Sequence, residues 1–204
     1  MDIFLKVLLV VAPSYLIGAI PSSYMVGRLF RGIDLREHGS GNLGTANTFR
    51  VLGIGAAVPV LLFDIGKGYI AVRYFAEFGG PSVFFSLLAA FAVVLGHNYS
   101  IFVRFSGGKG VGTSLGAFLA LAPQAAGMCF LLWLVLLLVF RIVSIASIVG
   151  AVFLPVAILI SNRFFGSDTH YSVLALAIAV AVLVLYKHLS NIRRLREGTE
   201  SRIF

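Results

Sequence analysis

Charge is scarce in this sequence. Only 12% of its 204 residues are charged, eight acidic against sixteen basic, where soluble domains carry about 25%. Cysteine is nearly absent. Cys129 stands alone in the run GMCFLLWLVLLLVF, which excludes a disulfide framework and leaves a cysteine-based metal site without ligands. There is no internal repeat, no low-complexity stretch and no block polar enough to fold as a separate soluble domain. Apolar residues take the vacant share: 59% of the chain is hydrophobic and mean hydropathy is +1.00. Such a composition belongs in lipid, and residues 1–204 are expected to form one polytopic membrane domain.

A membrane-spanning helix takes about 20 largely apolar residues, with shorter ones passing where neighbours shield them. Seven are expected, at 4–27, 51–73, 82–100, 111–124, 125–140, 142–161 and 171–188. The stretch 111–140 is too long for one span, and Pro123 with Gln124 marks its division. The first run opens on Asp2, has Lys6 as its only cation and outlasts the roughly 7–15 apolar residues of a signal peptide, so it is read as a span.

The cations orient this map. Arg28, Arg31, Arg36 and Arg50 flank the first connection, Arg104 and Lys109 lie in the third and Arg141 in the fifth. Lys187, Arg193, Arg194, Arg196 and Arg202 form the tail. The opposite side has Lys6, Arg73 and Arg163. By the positive-inside rule the N-terminus is outside and the C-terminus cytoplasmic. Cations so placed suit anionic lipid head groups, not nucleic acid. The fold class is therefore an all-α integral membrane protein of about seven transmembrane helices, with its polar segments at the cytoplasmic face.

Those segments carry the chemistry. In HGSGNLGTANTFR, residues 38–50, the glycines spell Gly-x-Gly-x-x-Gly, but a dinucleotide site needs a preceding strand and a βαβ unit, and this loop follows a membrane span. Ser40, Asn42, Thr45, Asn47 and Arg50 are instead suited to a small polyol phosphate, with amides for hydroxyls and a guanidinium for phosphate. The alternative is an ordinary Gly/Asn turn. In FSGGKGVGT, residues 105–113, a Walker A loop fails twice: Val103 stands where the first glycine belongs and Gly110 where a Ser or Thr should follow the lysine. What survives is a simpler phosphate site. Gly107, Gly108 and Gly110 let backbone amides approach an anion, Lys109 adds a charge, and a helix starting near Val111 points its positive end there.

Other residues are more open to a bland reading. His97 and Asn98 end the third span, and a lone histidine there is more often a structural hydrogen-bonding residue than a catalyst. Asp64 and Lys67 lie three apart within the second span, where ionisable groups are functional candidates. A mutual ion pair is the plain account of Asp64, while Lys67 has reach toward a site. Ser144 and Ser147 open the sixth span and either back-bond to their own helix or face an anion. In the tail HLSNIRRLREGTE, His188 and Asn191 share a helical face.

Three of these segments together resemble one family, the bacterial membrane-integral glycerol-3-phosphate acyltransferases that use acyl phosphate. GSGNLGTAN with Arg50 looks like its first motif. Gly96 through GGKGVGT to Thr113 looks like the second. HLSNIRRLREGTE, with His188, Asn191, Arg194, Gly198 and Glu200 in register, looks like the third. Asp64-x-x-Lys67-Gly68 also fits. The chain departs from the pattern at Ala46, where a hydroxyl is usual, and at Gly112, where Ala is common.

The resemblance implies transfer of a fatty acyl group from acyl phosphate to glycerol 3-phosphate in the bacterial cytoplasmic membrane, without cofactor or metal. Gly107, Gly108, Lys109 and Gly110, with Ser147, would receive the acyl phosphate. Ser40, Asn42, Asn47, Arg50, Lys67, Lys109, His188 and Asn191 would hold glycerol 3-phosphate, with Lys109, His188 and Arg50 nearest the chemistry. Two other classes compete with this reading. A transporter or channel for an anionic metabolite suits the spans, though no repeated half is visible. An acyl-CoA enzyme with a His-x4-Asp pair is unsupported, because the positions five after the histidines hold Leu43, Phe102, Ala175 and Arg193.

Overall fold

The computed structural model describes residues 2–203, helices and their connections, with no strand among the described residues. The all-helical membrane architecture expected from composition is what the chain adopts. Five helical stretches are long and apolar enough to cross a membrane, and one bent helix pair makes a sixth. The chain divides into two compact units, Met1–Ala120 and Leu121–Phe204.

The first unit opens on α1 (Ile3–Ala19), which stops short of Pro21, because proline has no N–H to give and its ring crowds the preceding turn. α2 (Ser22–Arg31) resumes at once, so the expected first span is a broken helix over Ile3–Arg31. Gly32, at φ +68°, ends it in the left-handed conformation. The first connection then winds α3 (Thr45–Leu52) before Gly53, at φ +82°, turns the chain into α4 (Ile54–Ile70). The second span therefore starts at 54 and not 51. α4 continues through a π turn, Ala71–Phe75, and a 3₁₀ turn, Ala76–Gly79. α5 (Val83–Asn98), capped by Ser82, and α6 (Val111–Leu121) follow.

Glycines let these helices touch backbone to backbone. A Cβ on Gly18 of α1 would fall 2.2 Å from Val93 O of α5, and one on Gly96 the same distance from Tyr15 O. Gly68 of α4 and Gly116 of α6 make the equivalent contact, with imagined Cβ atoms 2.1 Å from Thr113 O and 1.9 Å from Ile65 O. Lipid tails are as apolar as leucine, so close packing by small residues is what holds membrane helices together.

α6 differs from expectation. It has 11 residues, roughly 16 Å of helix, against about 30 Å of hydrocarbon. The division of 111–140 also falls earlier, at Ala122, because Pro123 takes the first position of α7 (Pro123–Phe140). Proline is tolerated there, since that N–H has no helical partner anyway.

In the second unit Arg141, left-handed at φ +60°, turns α7 into α8 (Val143–Phe164). α9 (Tyr171–Lys187) bends by 57° at His188 into α10 (Leu189–Arg196). The tail then comes back, and Ile203 N donates to Arg141 O at 2.7 Å.

Candidate functional site

In the first unit the first connection is braced from within. Asn47, buried on α3, accepts from Ser40 N at 2.8 Å and donates to Leu35 O and His38 O, each at 3.0 Å. Its amide is thus engaged at both ends by the loop backbone, which presents Ser40 at the surface. Arg50 follows three residues on, in the last turn of α3 and partly buried, on the same helical face as Asn47. Buried Asp34 is gripped by Arg36 through Nη2 at 2.6 Å and Nε at 3.0 Å. The Arg36 hydrogen bonds outweigh burial and hold its carboxyl down at about 2. Leu35, Leu43 and Val103 form a small apolar core beneath, and Arg36 Nη1 reaches Val103 O at 3.4 Å. The first and third polar connections are therefore one packed layer.

The glycine loop rests on that layer and on the end of α5. Gly108 N donates to His97 O at 3.0 Å. A Cβ on Gly107 would sit 2.0 Å from His97 O; one on Gly108 would meet His97 Nε2 at 2.2 Å and Leu43 O at 2.9 Å. Gly110 turns the chain at φ +82°, with its imagined Cβ 2.7 Å from Asn98 Oδ1. No larger residue fits this path. It ends at the N-terminus of α6, with Lys109 partly buried between Gly108 and Gly110.

Beneath the loop lies a knot of buried polar side chains that sequence reading foresaw only as a pair. Lys67 Nζ is 2.8 Å from Asp64 Oδ1 and donates to Ile20 O at 3.2 Å. Ser22 Oγ donates to the same Asp64 oxygen at 2.8 Å, and His97 Nδ1 stands 3.6 Å from it. Pro21 explains the location. Breaking α1 from α2 leaves the Ile20 carbonyl outside the helical ladder, where Ser22 N at 3.1 Å and the Lys67 ammonium share it. Ala19, Ile20, Ser22, Leu43, His97 and Gly108 line a small cavity at this point. Thr113 and Ser114, buried in the first turn of α6, have hydroxyls with no hydrogen-bond partner among the described residues.

In the second unit His188 is buried at the α9–α10 bend, with Nδ1 2.8 Å from Val184 O. A carbonyl only accepts, so Nδ1 carries the proton and Nε2 is the acceptor of the neutral ring. Buried Asn191 donates from Nδ2 to Glu200 Oε1 at 2.6 Å. Ser144 donates to the same oxygen at 2.8 Å, and Arg194 Nε to Oε2 at 2.7 Å. Burial pushes the Glu200 carboxyl up, but hydrogen bonds from Asn191, Arg194 and Ser144 carry it below the usual carboxylate range. Ser147 accepts from Trp133 Nε1 at 3.2 Å.

The first unit thus brings Ser40 on the braced loop together with Asn47 and Arg50 of α3, and connects Lys67 to Gly107 and Gly108 through Asp64 and His97. The second holds Ser147, His188 and Asn191. Ser22 and Asp34 carry no signal in the sequence beyond ordinary residues beside a proline and among arginines, while Glu200 fits the third motif without revealing its partners.

Comparison with known proteins places the chain in a family. The glycerol-3-phosphate acyltransferase family profile matches residues 8–198. A glycerol-3-phosphate acyltransferase of Parasynechococcus marenigrum is 41% identical over 201 residues, covering 98% of this chain and 92% of its own length. One from Halalkalibacterium halodurans is 38% identical over 96% and 94% of the two chains. Among solved structures, PlsY, an integral membrane glycerol 3-phosphate acyltransferase, matches in its glycerol 3-phosphate form with TM-score 0.86 and 37% identity, over 96% of this chain and 94% of that one. The lysophosphatidic acid form matches with TM-score 0.83 and 36% identity, over the same shares. With matches spanning nearly its whole length, the chain belongs to the glycerol-3-phosphate acyltransferase family of integral membrane proteins.

Proposed function

We propose that this protein transfers a fatty acyl group from acyl phosphate to the sn-1 hydroxyl of glycerol 3-phosphate, giving lysophosphatidate and inorganic phosphate. The hydroxyl oxygen attacks the acyl carbonyl carbon, and the bond from that carbon to the phosphate oxygen breaks. The hydroxyl proton passes either to His188 Nε2 or to a substrate phosphate oxygen. Phosphate is a good leaving group, so no covalent acyl-enzyme is required, and the protein's task is to hold two anions together and stabilise developing charge.

The observation that carries this reading is the glycine loop, pressed against α5 so closely that no Cβ fits, and leading into a helix N-terminus. Backbone N–H groups and a helix dipole arranged so suit phosphate oxygens. Gly107, Gly108, Lys109 and Gly110, with Ser147, take the acyl phosphate. Ser40, Asn42, Arg50, Lys67, Lys109, His188 and Asn191 hold glycerol 3-phosphate, and Asn47 acts through the loop it braces. The relatives solved in glycerol 3-phosphate and lysophosphatidic acid forms support it, since those are an acceptor and a product of this reaction.

The protein is a multi-pass protein of the bacterial cytoplasmic membrane, and 1–204 serves as one functional domain with the N-terminus outside. Keeping both Lys109 and Arg141 at the cytoplasmic face needs two crossings between them. With α7 as one and the short α6 as the other, the crossings number seven. No nucleic acid or cofactor takes part.

The test is purified protein in proteoliposomes with acyl phosphate, glycerol 3-phosphate and EDTA. Equal amounts of lysophosphatidate and phosphate are expected. Labelled glycerol 3-phosphate crossing the bilayer without ester formation would make the protein a transporter instead.

A further inference from the structure

We propose that Asp64 is a positioning residue for the phosphate-binding glycine loop and acts on it through His97. His97 fixes Gly108 in two ways. Its carbonyl accepts the Gly108 N–H at 3.0 Å, and its ring lies so close to the Gly108 Cα that a Cβ there would fall 2.2 Å from Nε2. Gly107 lies on the same carbonyl. The loop path is therefore a cast of the last turn of α5 and of one imidazole.

That imidazole is set from its other end. Nδ1 stands 3.6 Å from Asp64 Oδ1, within ion-pair range. The carboxylate is itself fixed by Ser22 at 2.8 Å and by Lys67 at 2.8 Å. Lys67 in turn donates to the Ile20 carbonyl, which also accepts from Ser22 N at 3.1 Å. All four side chains are buried, so they cannot drift into water. A carboxylate that only balanced Lys67 would need neither the serine nor the imidazole. In this arrangement a chain of contacts runs from the α1–α2 break through Asp64 and His97 to the backbone that meets the anion. Errors near 1 Å in such a backbone can cost about 10²-fold in rate.

The ligand is a phosphate group, carried by acyl phosphate or by glycerol 3-phosphate. The inference rests on the function proposed above, and its test separates the two. Asp64→Asn keeps the acceptor oxygen and removes the charge; His97→Gln replaces the ring by a polar amide. Each is assayed for KM toward both substrates, for kcat, for thermal midpoint in detergent, and for calorimetric binding of glycerol 3-phosphate and of inorganic phosphate.

The expected result is a KM raised about tenfold or more for one phosphate substrate, identifying which of them the loop holds, with kcat lowered less than KM is raised. Asp64→Asn should add little in a His97→Gln background, because one acts through the other. Equal, additive losses in the two backgrounds would overturn the proposal, as would a lowered thermal midpoint with unchanged KM. If Asp64→Asn does not fold, Asp64→Asn/Lys67→Met removes both buried charges together, and unchanged phosphate binding by it would overturn the proposal equally. A wild-type protein that makes no ester, yet binds phosphate more tightly than these variants, would refute the proposed reaction and leave this inference standing.

Discussion

Asn191 donates to Glu200 at 2.6 Å, and that one bond ties a residue of the expected substrate set to the far end of the chain. Glu200 also takes Ser144 of α8 and Arg194 of α10, with its side chain 3% exposed. Three elements are thus joined through one carboxylate. Glu200→Ala should strip all three donors of their acceptor. A buried polar group left unmet costs about 1–3 kcal/mol, so the thermal midpoint in detergent should fall clearly. Glu200→Gln, which can still accept through one oxygen, should lose less.

The same carboxylate gives a pH dependence. Its pKa is lower in the folded protein than the ordinary 4.5, so the unfolded chain takes up its proton first as pH falls. The stabilisation is complete above that ordinary value and is lost as pH drops through the folded one. Wild-type stability should therefore decline on acidification below about pH 4.5, and Glu200→Gln should remove that part of the slope. An unchanged slope in the variant would assign the acid sensitivity to other carboxylates, Asp34 first among them.

Gly108→Ala is expected to be among the most damaging changes that adds only a methyl. The new Cβ would fall 2.2 Å from His97 Nε2 and 2.9 Å from Leu43 O, and the carbonyl belongs to the packed layer below. The loop must shift, so phosphate binding should weaken by about tenfold or more. Gly127→Ala is the control, since nothing lies within 4 Å of its imagined Cβ. Similar binding by the two variants would show that the loop is not held as described.

How much of this was legible beforehand depends on range. Helices, apolar spans and the glycine loop are written in consecutive residues, through hydropathy and through residues without a Cβ. Pro21 falls inside the expected first span, and nothing local shows that the Ile20 carbonyl before it accepts from Lys67, 47 residues away. The division of the apolar stretch from Val111 to Phe140 was legible from Pro123, but its exact place was not, because proline there begins α7 instead of ending α6. His97 was read as a structural histidine, and its backbone role is that. Its contact with Gly108 depends on the loop folding back across ten residues, which no local pattern encodes. Glu200 matched a motif, yet nothing in the tail says that it would collect Ser144 from 56 positions earlier.

Arg50 is expected to serve glycerol 3-phosphate. It shares a face of α3 with Asn47, whose side chain braces the loop bearing Ser40 and Asn42. Arg50→Lys keeps the charge but loses the planar fork that matches a phosphate. The KM for glycerol 3-phosphate should rise about tenfold, with that for acyl phosphate little changed. A rise confined to acyl phosphate would mean that the two substrate assignments must be exchanged.

Lys109 tests the phosphate cradle most directly. It lies between two glycines that are fixed by their neighbours, so its backbone is held. Lys109→Met preserves length and helix compatibility and removes only the charge. Losing one preorganised group that meets developing charge typically costs about 10²–10³ in kcat, and lysophosphatidate formation in proteoliposomes should fall by that order. Near wild-type turnover would remove Lys109 from the reaction.

His188 decides where the proton goes. With Nδ1–H given to Val184 O, the neutral ring presents Nε2 as an acceptor, the form a general base needs. His188→Gln retains a polar group near that place but has no basic nitrogen. If His188 takes the hydroxyl proton, kcat should fall by about 10²–10⁴-fold, and the loss should not be recovered at higher pH. If a substrate phosphate oxygen takes it, His188→Gln should instead raise KM for glycerol 3-phosphate while kcat stays within a few-fold. Saturation kinetics with both substrates separates the two, because a base contributes only in the transition state while a binding residue contributes to the ground state as well.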